Sequence, residues 1–594
     1  METRIPHWLR RWVPIFDWAS GYRTADFSGD AIAGLMVSIM LVPQAMAYAM
    51  LAGLPPQTGL YASLLPLVLV GIFGCSRTLA VGPVAIVSLL TAAAIQRVAP
   101  EGGAAAIQTA LTLAGLVGVM MVIMGIARLG VITHFLNHPV IPGFTSAAAT
   151  IIAWSQLKHL LGVDVPASEH THQIIMDLIQ RAGNIQGATL AMGGGALILL
   201  VITGKWLGPW LQKVGVKKSL AKPLAQTGPL VVVALTTVMV WMWGLDRTAG
   251  IRTVGAVQAG LPPLSWPTMG WAGIEPLLGA ALTIALVGFI GSFSVAKTLA
   301  SKRRQNVDPD RELIALGLAN MGAAVTSGCP ITGGFSRSVV NFAAGAKTPL
   351  ASLITAALVL ITVVVLTPLF YYIPRTVLAA IIMTAVMGLI NLKEAPRLWH
   401  YSRADYSSFV LTFVIVLLAG VELGVGIGAG TALALCLWRS TRPHIAVLGR
   451  IGDTGHFRNV HRHKVRVCPG VLAIRVDESL YSANARFLED HLLRLVAEQQ
   501  DLENLVLDCS AINHIDSSAL ETLEKLVQQL RDSGVGFHLA AVKGPVMDRL
   551  ERAGFPEHFG RNCIHLSLDG AMTAVGCATG DLKEIPDPPS SEFP

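Results

Sequence analysis

The sequence predicts a polytopic α-helical membrane protein of about 14 transmembrane helices in a 7+7 inverted repeat, followed by a cytoplasmic α/β domain. Three observations predict it. Of 594 residues, 53% are hydrophobic and only 14% charged, with a mean hydropathy of +0.58, too apolar for a soluble chain of this size. The apolar residues gather in runs of spanning length, such as Ala31 to Leu54, Ala104 to Ile126, Pro229 to Trp243, Leu277 to Val295 and Leu350 to Phe370. Near Arg439 the composition then changes sharply, with shorter apolar runs and denser charge.

Taken in order, residues 1–28 read as a cytoplasmic N-terminal segment. METRIPHWLRRW is basic, but the polar DWASGYRTADFSGD follows it, so no cleavable signal peptide is expected. Residues 29–440 form the transmembrane region. Arg4, Arg10 and Arg11 precede its first span, Lys302, Arg303 and Arg304 follow the eighth, and Arg439 and Arg442 follow the last. The positive-inside rule puts all three groups in the cytoplasm, which requires an even number of spans and places both termini there, in a cell (inner) membrane. The net charge of +7 is then mostly a topology signal, and nucleic acid is not an expected partner. The seven cysteines show no CxxC pair and read as reduced.

Residues 441–464 read as a basic linker, 465–580 as the soluble domain and 581–594 as a Pro-rich disordered tail. In the soluble domain VLAIRV (471–476), LVLDC (505–509) and FHLAAV (537–542) read as strands. Leu520, Leu523, Leu526, Val527 and Leu530 share one helix face, and Leu488, Leu492, Leu495 and Val496 another. Neither His456, His461 and His463 in the linker nor His170 and His172 have a ligand spacing, so no metal or cofactor is expected.

Two segments of the membrane region depart from ordinary spans: FGCSRTLAVGPVAIVSLL (73–90) and SGCPITGGFSRSVVN (327–341). Each is an extended-looking Gly/Pro stretch followed by an apolar run too short to cross about 30 Å of hydrocarbon. Each is expected to be a half-helix preceded by irregular backbone, tolerated at membrane depth only when buried in protein or lining a cavity. Pro43-Gln44 lies 39 residues before Gly82, and Gly291-Ser292 lies 42 before Gly333. Two inverted repeats leave this trace, and they aim two half-helix N-termini at one midplane cavity. Unsatisfied N–H groups and two positive dipole ends converge there, and Arg337 adds a full charge, so the site prefers an anion. The expected ligands are Gln44, Ser292, Ser336 and Arg337 with the backbone at Val84, Ala85, Phe335 and Ser336, Tyr48 lining the wall.

These residues carry a family resemblance. PQAMAYAMLAGLPPQTGLYASLLPLVLVGIFGCSRTLAVGPVAIVSLL (43–90), with FSVAKTLASKR, RELIALGLANMGAA and GGFSRSVVNFAAGAKTPLA further on, resembles the sulfate permease (SulP) family of anion transporters; VLDCSAINHIDSSAL (506–520) resembles the core of a STAS domain. The resemblance implies a UraA-like fold in which a core domain moves against a gate domain. It implies an anion held at Gln44, Tyr48, Val84, Ala85, Phe335, Ser336 and Arg337, sulfate by family name, with bicarbonate or a C4-dicarboxylate as alternatives. Where many bacterial and plant members read ESISVAK, this chain reads GSFSVAK, placing Gly291 where the coupling acid stands. An exchanger, a facilitator or another coupling group is therefore expected. In related regulators the DSS segment, here Asp516-Ser517-Ser518, is phosphorylated on serine; capping of the helix by Asp516 is the simpler expectation. A homodimer in membrane lipid is expected, with a cytoplasmic partner of the STAS domain left open. The competing functions are an anion channel and an anion-sensing receptor. An enzyme is not expected, since no nucleophile-base pair stands at the membrane site.

Overall fold

The computed structural model describes residues 13–131, 140–165, 171–215, 224, 227–257, 260–499, 501–577 and 583–584. The basic residues Arg4, Arg10 and Arg11, His170, and tail residues 585–594 lie outside the described residues. The chain divides into two compact units, Met1–Ala432 and Leu433–Pro594.

In the first unit the helices that matter for function are α1 (Thr24–Leu51), α2 (Pro56–Phe73), α3 (Ala85–Val98), α4 (Gly103–Ile126), α5 (Val140–Leu161), α6 (Gly187–Lys213) and α7 (Gly228–Trp243). They continue with α8 (Leu278–Ser301), α9 (Pro309–Val325), α10 (Phe335–Ala344), α11 (Leu350–Tyr372), α12 (Arg375–Met387) and α13 (Arg403–Ala419), and α14 (Val421–Thr441) runs across the boundary between the units. Among the described residues, seven helices are long and apolar enough to cross a membrane, and α3, α7 and α12 are shorter apolar helices. Helix α1 begins at Thr24, inside the stretch expected as the N-terminal segment.

The helices form two sets by their main packing partners. One pairs α4 with α9, α9 with α2, α11 and α10 with α1, and α8 with α4; the other pairs α5 with α12 and α13, and α6 with α12. Small residues set the closest approach: a Cβ on Gly118 would lie 2.7 Å from the Gly317 carbonyl oxygen, and one on Gly317 2.7 Å from that of Gly118. Glycine at both positions lets α4 and α9 touch backbone to backbone, the contact that replaces hydrophobic driving force in lipid. Large side chains such as Trp206, Trp241, Val365 and Leu369 stay exposed, as lipid-facing positions require.

Two buried carboxylates fasten the first set. Asp30 accepts from the Lys347 N–H at 2.6 Å, the Thr348 N–H at 3.0 Å and the Thr348 hydroxyl at 2.6 Å. Glu312 accepts from the Cys75 and Ser76 N–H groups at 3.3 and 3.2 Å. Each satisfies loop backbone that has no other partner among the described residues, in an apolar interior.

The second unit is an α/β sheet in the order β10-β5-β3-β6-β7-β8-β9, with β4 paired to β3. The strands are β3 (Ile445–Arg450), β4 (Phe457–Asn459), β5 (Arg466–Val467), β6 (Val471–Val476), β7 (Asn504–Asp508), β8 (Gly536–Ala540), β9 (Ile564–His565) and β10 (Lys583–Glu584). Strands β6 to β9 are parallel and β3 is antiparallel to β6. Helices α15 (Ser482–Ala497) and α16 (Ser517–Asp532) bury their leucines on the core made by β6, β7 and β8.

Three expectations change here. Residues 441–464 are not a plain linker: β3 and β4 lie within them, so the sheet begins before residue 465. The basic and glycine-rich composition hid the alternation of Ala446 and Leu448, which face the core. Residues 583–584 of the expected disordered tail pair with β5. Cys468 and Cys577, read as reduced, are joined as a disulfide with a Cα–Cα distance of 6.0 Å; across 109 residues no spacing rule exposes such a pair.

Candidate functional site

The two irregular segments meet as a two-stranded antiparallel ribbon. Strand β1 (Val81–Gly82) pairs with β2 (Thr332–Gly333), Val81 opposite Gly333 and Gly82 opposite Thr332. The ribbon is extended by the Gly334 N–H donating to the Ala80 carbonyl at 2.9 Å. Helix α3 starts three residues after Gly82 and α10 two after Gly333, so both N-termini open beside the ribbon and leave it in opposite senses. Their N-cap residues, Val84 and Gly334, are extended and make no side-chain cap. The first-turn N–H groups of both half-helices are thus not used up by a local side chain.

Ser292, expected at the site as a ligand, turns out to hold the ribbon. Ser292 donates to the Gly288 carbonyl at 2.7 Å, one turn back on its own helix, and accepts from the Gly333 N–H at 2.7 Å. Thr332 donates to the same carbonyl at 2.6 Å. Ser338 does the equivalent on α10, donating to Gly334 O at 2.7 Å and accepting from the Ala80 N–H at 2.9 Å. Asn341 Nδ2 donates to the Thr78 carbonyl at 3.1 Å. Asn320 reaches both backbone groups of Ile331, donating to its oxygen at 3.1 Å and accepting from its nitrogen at 2.9 Å. Irregular backbone at membrane depth is satisfied by these side chains, as it must be without water.

Arg337 lies beneath the ribbon, 1% exposed. Its Nη1 donates to Gln44 Oε1 at 3.2 Å, while Nε and Nη2 have no partner among the described residues. A Cβ on Gly334 would stand 2.7 Å from Nη2, so only glycine leaves the guanidinium room there. Gln44 and Tyr48, one turn apart on α1, are both buried. A buried cation with two unsatisfied donors costs several kcal/mol unless an anion completes it.

The remaining expected residues spread around this centre. Ala85 is buried and Val84 half-buried at the start of α3, whereas Phe335 and Ser336 are exposed at the start of α10. Gly291 faces open space, with nothing within 4 Å of where a Cβ would stand. Sequence reasoning missed Thr332, Asn320 and Asn341 as the ribbon's supports, and Ser88, whose buried hydroxyl on α3 has no partner among the described residues. The available signal was polar side chains inside apolar stretches.

In the second unit Asp516 caps α16, accepting from the Ala519 N–H at 2.8 Å, and its other oxygen accepts from the Ser482 N–H at 2.9 Å. Ser517 and Ser518 are exposed in the first turn. Burial pushes the Asp516 carboxyl up, but these N–H donors outweigh it and hold the group below its ordinary value.

Residues 27–412 match the family model described as the sulfate permease family. The chain belongs to that family. Residues 463–571 match the STAS domain. The chain is 36% identical to sulfate transporter 4.1, chloroplastic, of Arabidopsis thaliana over 96% of its own length and 83% of that protein. It is 31% identical to high affinity sulfate transporter 2 of Stylosanthes hamata over 95% and 86%. Among solved structures it superposes on murine Slc26a9, an anion transporter in the inward-facing state, with a TM-score of 0.87 at 24% identity, covering 97% of this chain and 96% of that one. It also superposes on the transmembrane domain of a cyanobacterial bicarbonate transporter, BicA, with a TM-score of 0.57 at 21% identity, covering 69% and 98%.

Proposed function

We propose that this sulfate permease family member is a secondary transporter that carries a small inorganic anion, sulfate first, by alternating access. The observation that carries the reading is Arg337, buried with Nε and Nη2 unpartnered beside two uncapped half-helix N-termini. An oxyanion supplies the acceptors that both kinds of donor lack. The relatives named as sulfate transporters support sulfate over bicarbonate or a C4-dicarboxylate. We read the fold as 14 spans, in an inner membrane with both termini cytoplasmic, assembled as a homodimer, and as a carrier rather than an enzyme. Site ligands are Gln44, Tyr48, Arg337 and the backbone at Val84, Ala85, Phe335 and Ser336; Ser292 acts by positioning Gly333.

The open space at Gly291 supports exchange or facilitated movement, since no carboxylate stands there to carry a proton. Exposed Ser517 and Ser518 in the first turn of α16 suit phosphate, which a helix N-terminus favours. Uptake of radiolabelled sulfate into proteoliposomes, with unlabelled anions as competitors, tests the whole reading. Saturable uptake that sulfate competes best, and that Arg337→Ala abolishes, is expected. Current rising linearly with anion concentration overturns the carrier. Accumulation driven by a clamped pH gradient and lost with a protonophore overturns the uncoupled mechanism.

A further inference from the structure

A cavity of about 150 Å³ lies among α5, α6 and α12 and is lined by Lys158, His159, Asp164, Gln186, Arg252 and Arg375. Its walls are fixed by backbone hydrogen bonds: Arg375 N–H to the Arg252 carbonyl at 2.9 Å, Val254 N–H to Ile373 at 2.8 Å, and Gln186 N–H to Leu161 at 3.0 Å. Three basic side chains, Lys158, Arg252 and Arg375, face one carboxylate. Arg252 is paired with Asp164, Nη2 to Oδ2 at 2.6 Å, which leaves the charges of Lys158 and Arg375 uncompensated. Lys158 commits one donor, to the Val165 carbonyl at 3.2 Å. Among the described residues Arg375 commits only Nε, to the Thr253 carbonyl at 2.9 Å.

The chain path fixes which face the cavity opens on. Helix α6 leaves the cavity's side at Gly187, α7 returns to it at Trp243, and Arg252 follows in the connection that leads into α8 at Leu278. Helix α8 then ends on the opposite side, at Ser301, followed by Lys302, Arg303 and Arg304. With those residues cytoplasmic by the positive-inside rule, the cavity belongs to the outward face.

We infer that this cavity is a second anion site, separate from Arg337, that binds an inorganic oxyanion at the outward end of the helices packed around α5 and α12. A pocket that gathers two uncompensated cations concentrates anions. About 150 Å³ is room for one tetrahedral oxyanion with part of its hydration shell, since a water occupies roughly 30 Å³.

Equilibrium binding of radiolabelled sulfate to the purified full chain, at fixed ionic strength to hold screening constant, tests this. Two sites per chain are expected in the native protein. Lys158→Gln with Arg375→Gln should remove one and leave the other's affinity within about twofold, whatever part Arg337 plays. Adding Arg337→Ala should remove the rest. Unchanged stoichiometry in the double variant overturns the proposal, as does a native protein with one site. Should the double variant not elute as a single species, a structure of the native chain soaked in tungstate decides: density between Lys158 and Arg375 upholds the site, and density at Arg337 alone refutes it.

Discussion

Helices α3 and α10 occupy equivalent places in the two repeats, yet they are built differently. Both start uncapped at one ribbon, but α3 opens with buried Ala85 and half-buried Val84, whereas α10 opens with exposed Phe335 and Ser336 and carries buried Arg337 in its first turn. The first repeat supplies neutral partners, Gln44 and Tyr48 from α1; the second supplies the charge. A symmetric frame therefore holds an asymmetric site. In the proposed site, backbone dipoles from both sides provide geometry, and a single guanidinium provides most of the electrostatic preference.

The sharpest way to break that comparison is Arg337→Ala. Loss of a buried charge that pairs with the ligand is worth about 2–5 kcal/mol, so sulfate affinity measured by calorimetry should fall roughly 30-fold or more, while Lys302→Ala leaves it unchanged. Proline at the first helical position then weighs the two ends directly. Val84 (ψ 151°) and Gly334 (ψ 126°) are extended and tolerate a following proline, so Ala85→Pro and Phe335→Pro each delete one N–H without breaking a helix. Hydrogen bonds to a charged group contribute about 1.5–3 kcal/mol; each variant should lose about tenfold or more in affinity, with Phe335→Ala as the control for the lost ring. Equal losses mean equal dipole shares, and a loss at only one end assigns the anion to that helix.

Ser292→Ala tests the frame instead of the site. It strips the half-buried Gly333 N–H of its acceptor at about 1–3 kcal/mol, so the thermal midpoint should drop more than sulfate affinity does. The smallest effect is expected where a helix start is capped. Asp516→Ala should cost roughly 1 kcal/mol in the STAS domain and leave sulfate affinity alone. Because the folded carboxyl is held low, its contribution is present above the unfolded value near 3.9 and lost as pH falls through the folded one. A urea melt of the full chain at pH 7 and pH 3 should show the difference between Asp516→Ala and the native protein shrinking at the lower pH.

Much of this was legible in the sequence. Strand β6 coincides with VLAIRV because its alternating pattern is bounded by turn residues, and the half-helices announced themselves by Gly and Pro in apolar stretches of sub-membrane length. Arg337 stood out as a charge with no nearby acid. What stayed hidden depends on residues distant in sequence. Ser292 reads as a ligand until Gly333, 41 residues on, is seen to need it. Lys158, Arg252 and Arg375 look like loop charges until three segments place them around one cavity. Strand β3 was masked by the charged, glycine-containing segment around it.

The β1–β2 ribbon joins the repeats through two residue pairs, with Ser338 and Asn341 of α10 bonded across to Ala80 and Thr78. Any displacement of one half-helix start drags the other with it. In the proposed transport cycle the two sets of donors are then expected to keep their separation, like the jaws of a clamp that travels shut. On that reading, selection by size belongs to the moment of seating, and the stroke itself is indifferent to what has been seated.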